Sequence, residues 1–176
     1  DIAHKTEFKA LYLNIESRDD LYRNFNKLKS DVEKITNKRG VGLLIQEQIK
    51  TGEELILGIE RDGGHDVYHD NKPGFGHLLL FGKGGIHTEV YKDFAASLVP
   101  SSLEDIEEMV SKTRIYQVLK GIRGSKKLAL DKLYQTLVAL NKMALAYPQI
   151  STMDINPLFL TEDRAIAVDV KIFLKE

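Results

Sequence analysis

Apolar and polar residues alternate in two runs near the end of the chain, Thr152–Leu158 and Ala165–Lys171. That is the period of half-buried strands. The polar stretch Thr161-Glu162-Asp163-Arg164 between them predicts a hairpin turning at Glu162 and Asp163. In that register Asn156 lies opposite Asp169, and Asp154 opposite Lys171. Opposed residues of an antiparallel pair share a face. One face then carries Asp154, Asn156, Asp169 and Lys171. The other, the core face, carries Ile155, Phe159, Ile166, Val168, Val170 and Ile172.

The rest of the chain alternates between the two periods. Ala10–Ile15 reads as a strand. Leu21, Phe25, Leu28, Val32 and Ile35 recur at helical spacing behind a Ser17 cap, with a stop at Asn37–Gly40. Val41–Ile49 and Glu54–Arg61 read as a strand pair joined by the turn Lys50–Glu53. Residues 62–76 are loop-like, and their histidines and aspartates lack an ordered ligand spacing. His77–Phe81 and Phe94–Pro100 read as strands. Ser101 or Ser102 caps a helix that is acidic in its first turn, which suits the helix dipole. Leu128–Tyr147 is the clearest amphipathic helix, with Leu130, Leu133, Leu137, Leu140, Met143 and Ala144 as its core stripe.

Composition narrows the class. The 176 residues are 43% hydrophobic and 29% charged, as in an ordinary globular protein with a real core. A net charge of −1 gives no reason to expect nucleic acid or a membrane surface as partner. No apolar run reaches the length of a membrane span, and no signal peptide opens the chain. Cysteine is absent, which excludes disulfides and thiolate metal sites and is compatible with a cytoplasmic location. The first residue is Asp1, which reads as a fragment or a processed chain.

Two carboxylates and a carboxamide gathered on one hairpin face are hard oxygen ligands. They suit Mg²⁺, which takes one or two protein ligands and leaves the rest to water and phosphate. A plain solvated charged face accounts for the same spacing. Glycines in Gly82-Lys83-Gly84-Gly85-Ile86 let backbone N–H groups approach an anion, although their spacing fits neither a Walker loop nor a dinucleotide fingerprint.

Several separated motifs carry a resemblance. Asp154-Ile155-Asn156-Pro157-Leu158 with Val168-Asp169 resembles the end of an ATP-grasp domain of the ADP-forming acyl-CoA (acetyl-CoA) synthetases, with the succinyl-CoA synthetase beta subunit as a more distant relative. Phe81-Gly82-Lys83-Gly84-Gly85-Ile86 through Glu89-Val90-Tyr91-Lys92-Asp93 is similar to a second family segment. Asp1-Ile2-Ala3-His4-Lys5 is similar to a third, with Glu7 where Asp is usual, and Lys120–Gly124, with Arg123, to a fourth.

The resemblance implies an α+β, ATP-grasp-like fold, a mostly antiparallel sheet backed by helices without the complete N-terminal lobe. Residues 1–176 would be a partial ATP-grasp domain, the C-terminal nucleotide-binding lobe plus a connecting segment. It implies that Asn156 and Asp169 hold Mg²⁺ under the phosphates of ATP or ADP. Asp154 would face a phosphorylated histidine of a CoA-binding partner, and His4 would relay phosphate. The backbone near Glu47, Gln48 and Ile49 would read the adenine edge, with Glu54 near the nucleotide. Gly84, Gly85 and Glu89 would lie by the phosphates and the incoming phosphohistidine. The implied activity is that of an acid–CoA ligase, inactive without the missing lobe and the CoA-binding domain. A nucleotide-sensing module without turnover, or an inactive fragment, is the alternative.

Overall fold

The computed structural model describes residues 11–37, 39–40, 42–62, 74–85, 92–122 and 126–175. The chain divides into two compact units, residues 1–50 and 51–176. In the first, helix α1 (Arg18–Thr36) begins at Ser17, whose side chain accepts the Asp20 N–H, and ends at Asn37 in the left-handed region. Both boundaries follow the sequence expectation. The expected strands at 10–15 and 41–49 do not form among the described residues. Leu11, Leu13, Leu44 and Ile45 are exposed, and Asn14 stands at φ 58°. Bonds made by side chains join the two segments in place of ladder pairing. Asn14 N–H donates to Gln48 Oε1 at 2.6 Å, Gln48 Nε2 returns a bond to Asn14 Oδ1 at 3.2 Å, and Lys50 pairs with Glu16 at 2.5 Å.

The second unit is a six-stranded antiparallel sheet: β1 (Glu53–Arg61), β2 (His77–Lys83), β3 (Phe94–Leu98), β4 (Ile150–Leu160), β5 (Ala165–Ala167) and β6 (Val170–Leu174). The order is β3-β2-β1-β4-β5, and β6 continues along the same side of β4. The predicted partner of β1 was Val41–Ile49. Its two edges are instead occupied by β2 and β4. Long-range pairing of three apolar strands buries more than the local hairpin could, and Leu55, Leu57, Ile59, Leu79 and Phe81 are fully buried.

Helices α2 (Leu103–Ser111) and α4 (Leu130–Ala146) cover one face of this sheet, and the short α3 (Ile115–Leu119) links them. Ser102 and Asp105 form a reciprocal capping box at α2. Asp93 accepts the Arg114 and Ile115 N–H groups at 2.8 Å each and so caps α3. The predicted stripe of α4 holds: Leu133 and Leu137 are fully buried and Met143 packs at the edge of the core. Asn141, buried on the same helix, clamps the Ser101 backbone, accepting its N–H at 3.0 Å and donating to its carbonyl at 3.1 Å. No helix among the described residues is long and apolar enough to cross a membrane.

The C-terminal hairpin keeps the predicted register: Asp154 opposes Lys171 and Ile155 opposes Val170, while Leu158 opposes Ala167. Thr161 closes the turn, its N–H donating to Arg164 O at 2.8 Å. The assignment of faces needs correction. Across from β1, Leu57 pairs with Ile155 but Leu55 with Leu158, so β4 carries one extra residue at Asn156-Pro157. This bulge reverses the alternation. Leu158 and Leu160 enter the core, and Phe159 turns to the face opposite the helices, level with Glu54. Val168, Val170 and Ile172, expected in the core, are 39%, 44% and 46% exposed. They lie on the outermost strand line, whereas α4 packs on β1, β2 and β5.

Candidate functional site

The bulge in β4 builds the site. It interrupts the return arm at Val168-Asp169, between β5 and β6, where two bonds replace the regular ladder. Asn156 N–H donates to Asp169 O at 3.1 Å, and Val168 N–H donates to Pro157 O at 3.1 Å. These bonds fix the Asn156 and Asp169 backbones side by side. The same two positions were predicted to face each other, and the structure brings them together.

The glycine turn after β2 closes on this point from across β1. Gly84 N–H donates to Glu54 O at 2.8 Å. A Cβ at Gly84 would lie 2.5 Å from Leu55 C and 2.6 Å from Leu55 O, so only glycine permits this approach. Gly85 stands at φ 91°, and its Cα faces the Glu54 carboxylate. Its N–H donates to Asn156 Oδ1 at 3.4 Å, a long bond that leaves the oxygen capacity to accept or ligate further. Beside the turn, Lys83 pairs with Glu53 at 2.7 Å, and both side chains are about a third exposed or less. Sequence reading passed over this pair, because a lysine among glycines signals an anion site and not a strut.

The charges gather on β4 and β6. Lys171 Nζ lies 3.5 Å from Asp169 Oδ2 and directly opposite Asp154 in register. Burial pushes the Asp154 carboxyl above its ordinary range. Lys171 pulls it down and Asp169 pushes it up again. Among the described residues no group of three or more acidic, histidine or cysteine side chains forms a metal cage. The donors are two carboxylates and one carboxamide oxygen. That fits a cation which keeps most of its shell for water and phosphate, as Mg²⁺ does.

Asp154, Asn156, Asp169, Glu54, Gly84 and Gly85 are therefore gathered in one unit. Glu47, Gln48 and Ile49 belong to the other unit, where Gln48 bonds Asn14. The strand expected over Val41–Ile49 to carry these three does not form among the described residues. His4, Glu89, Arg123 and most of loop 62–76 lie outside the described residues.

Residues 1–174 match the ATP-grasp domain family. The chain is 32% identical to the acetate–CoA ligase [ADP-forming] I of Archaeoglobus fulgidus over its whole length, which spans 24% of that protein. It is also 32% identical to the beta subunit of acetate–CoA ligase [ADP-forming] I from Pyrococcus furiosus, covering 98% of this chain and 71% of the subunit. Among solved structures, acetyl-coenzyme A synthetase 1 of Ca. Korarchaeum cryptofilum, in complex with coenzyme A, Ca-AMPCP and HgCl⁺, superposes with a TM-score of 0.79 at 25% identity, over 99% of this chain and 72% of that one. The same synthetase, with a phosphorylated phosphohistidine segment, matches with a TM-score of 0.76 at 25% identity, over 93% and 69% of the two chains. A family match over nearly the whole chain, and 32% identity over 71% of the Pyrococcus subunit, show that the chain belongs to the ATP-grasp family, in the branch of the ADP-forming acetate–CoA ligases.

Proposed function

We propose that this chain is the nucleotide-binding part of an ADP-forming acyl-CoA synthetase. It takes part in phosphoryl transfer between ATP or ADP and a histidine of a CoA-binding partner domain. The single observation that carries the reading is the β4 bulge, which holds Asn156 beside Asp169 under the Gly84–Gly85 turn.

The chemistry follows from the donors. Phosphoryl transfer needs charge neutralisation and alignment more than covalent help. Asn156 Oδ1 and the Asp169 carboxylate would hold Mg²⁺, which supplies neutralisation of phosphate charge when bound. Gly85 N–H donates to Asn156 Oδ1 and would orient the carboxamide for that role. Glu54 fixes the turn through its carbonyl and occupies the space above Gly85 with its carboxylate. Asp154, part-buried on the same face, would accept an N–H from an imidazole approaching that face. His4 and Glu89 are assigned to phosphate relay and to the phosphohistidine by family resemblance, and Glu47 to Ile49 to the adenine edge.

The Archaeoglobus relative is four times as long as this chain, and the Pyrococcus relative is one subunit of a larger enzyme. On this reading the acid, CoA and the transferring histidine belong to other parts of the enzyme. The test is transfer of the ATP γ-phosphate to the CoA-binding partner in the intact enzyme. We expect Mg²⁺-dependent labelling of a histidine, lost in Asp169→Ala. Labelling at wild-type rate in Asp169→Ala would overturn the reading.

A further inference from the structure

Lys171 has no part in the function proposed above, yet among the described residues it is the cation paired with Asp169. Its ammonium lies 3.5 Å from Asp169 Oδ2, and its backbone pairs with Asp154 on the neighbouring strand. Its side chain is 61% exposed and that of Asp169 55%, so the pair is made at the surface and can part. We propose that Lys171 is a resident counter-cation of the metal position: it neutralises Asp169 while the site is free of nucleotide, and so makes binding of a divalent cation depend on a nucleotide phosphate. This inference rests on the nucleotide reading above.

The argument is one of charge and reach. Asp154 and Asp169 carry two negative charges on one face, and Lys171 cancels one of them. A divalent ion arriving alone must displace the ammonium from Asp169 or accept it as a like-charged neighbour. A nucleotide diphosphate or triphosphate brings several negative charges with the metal. The ammonium, a compact charge on a flexible four-carbon stem, can then move from Asp169 to a phosphate oxygen. The carboxylate it leaves becomes available as a ligand. Metal and nucleotide become thermodynamically coupled, each raising the affinity for the other. An apolar or neutral residue at position 171 would leave the carboxylates uncompensated. The site would then hold a free divalent ion without nucleotide.

The experiment is Mn²⁺ binding to the intact protein, read from the paramagnetic resonance signal of free Mn²⁺, with and without ADP. Wild type, Lys171→Gln, Lys171→Arg, Asn156→Ala and Asp169→Ala are compared. Lys171→Gln should bind Mn²⁺ alone more tightly, by about fivefold at low ionic strength, because like charges within several ångströms repel even in water. The gain should shrink as salt is raised. The further tightening caused by ADP should be smaller than in wild type. Lys171→Arg should restore wild-type behaviour. Unchanged or weaker Mn²⁺ affinity in Lys171→Gln overturns the inference, as does a Lys171→Arg variant that behaves like Lys171→Gln. The two readings fail differently. Normal uptake with ADP that is lost in Asp169→Ala, with Lys171→Gln matching wild type, removes only the role of Lys171. A wild type that binds no Mn²⁺ even with ADP, like Asn156→Ala and Asp169→Ala, removes both.

Discussion

Two adjacent glycines offer a sharp test of how the site is built. A Cβ placed on Gly84 meets backbone, Leu55 C at 2.5 Å and Leu55 O at 2.6 Å, within a fully buried part of β1. Backbone in the middle of a sheet cannot yield, so the turn must lift from the strand. Lifting breaks the 2.8 Å bond from Gly84 N–H to Glu54 O. That loss costs about 1 kcal/mol, and the overpacking costs a further 1–3 kcal/mol or about that. Gly84→Ala should therefore destabilise the protein by about 3 kcal/mol. Gly85→Ala meets the end of the Glu54 side chain, which can swing aside. What remains is the φ of 91°, worth roughly 1–2 kcal/mol for a residue with a Cβ. The assay is urea unfolding followed by far-ultraviolet circular dichroism. With a slope of about 2 kcal/mol per molar, Gly84→Ala should lower the midpoint by roughly 1.5 M. Gly85→Ala should lower it by less, roughly 0.5–1 M. A Gly84→Ala protein within about 1 kcal/mol of wild type would refute the close approach. So would a reversed order of the two variants.

Three further outcomes follow from the same structure. Leu133→Ala, in a fully buried position on α4, should cost about 2–5 kcal/mol, whereas Leu98→Ala, 53% exposed on β3, should stay within about 0.5 kcal/mol of wild type in the same unfolding assay. Asn141→Ala should cost roughly 2–3 kcal/mol by leaving both Ser101 backbone groups without their partner; thermal unfolding no different from wild type would show that Asn141 is dispensable. Asp105 is held below the ordinary aspartate value of 3.8, first by accepting the Ser102 backbone N–H and then by the Ser102 hydroxyl. A carboxyl depressed by folding stabilises above its unfolded pKa and stops doing so as pH falls through the folded value. The stability gap between wild type and Asp105→Ala should therefore be full above 3.8 and close in stronger acid, and a gap independent of pH would count against the ionic cap.

The C-terminal hairpin was legible because its information is local. Both arms alternate and a polar turn joins them, so Asp154 could be placed opposite Lys171 and Asn156 beside Asp169 from the sequence. The helix cap at Ser17 was legible for the same reason, and the second cap was narrowed to Ser101 or Ser102, of which the structure uses Ser102. Other features were not. The strand pattern of Val41–Ile49 is a fair local signal, but β1 pairs with β2 and with β4, which is far away in sequence, and periodicity says nothing about which partner wins. The phase of β4 changes at Asn156-Pro157, so a strict alternation placed Phe159 on the wrong face. Pro157, which cannot donate to a ladder, was the available sign of that break. The Lys83–Glu53 and Asn141–Ser101 contacts join residues distant in sequence and carry no local signature. The bulge that defeated the alternation is also what holds Asn156 against Asp169, which agrees with the expectation that local rules fail where function is built.

The central claim is that Asn156 and Asp169 form a cation position for a nucleotide's phosphates. Calorimetric titration of the intact protein with ADP, in the presence and absence of Mg²⁺, tests it most directly. The account predicts Mg²⁺-dependent heat that Asn156→Ala and Asp169→Ala each reduce by at least about tenfold in affinity, the scale of one lost charged contact. Both variants should unfold at the wild-type urea midpoint or close to it. ADP binding that is indifferent to Mg²⁺, or unchanged in both folded variants, would contradict it.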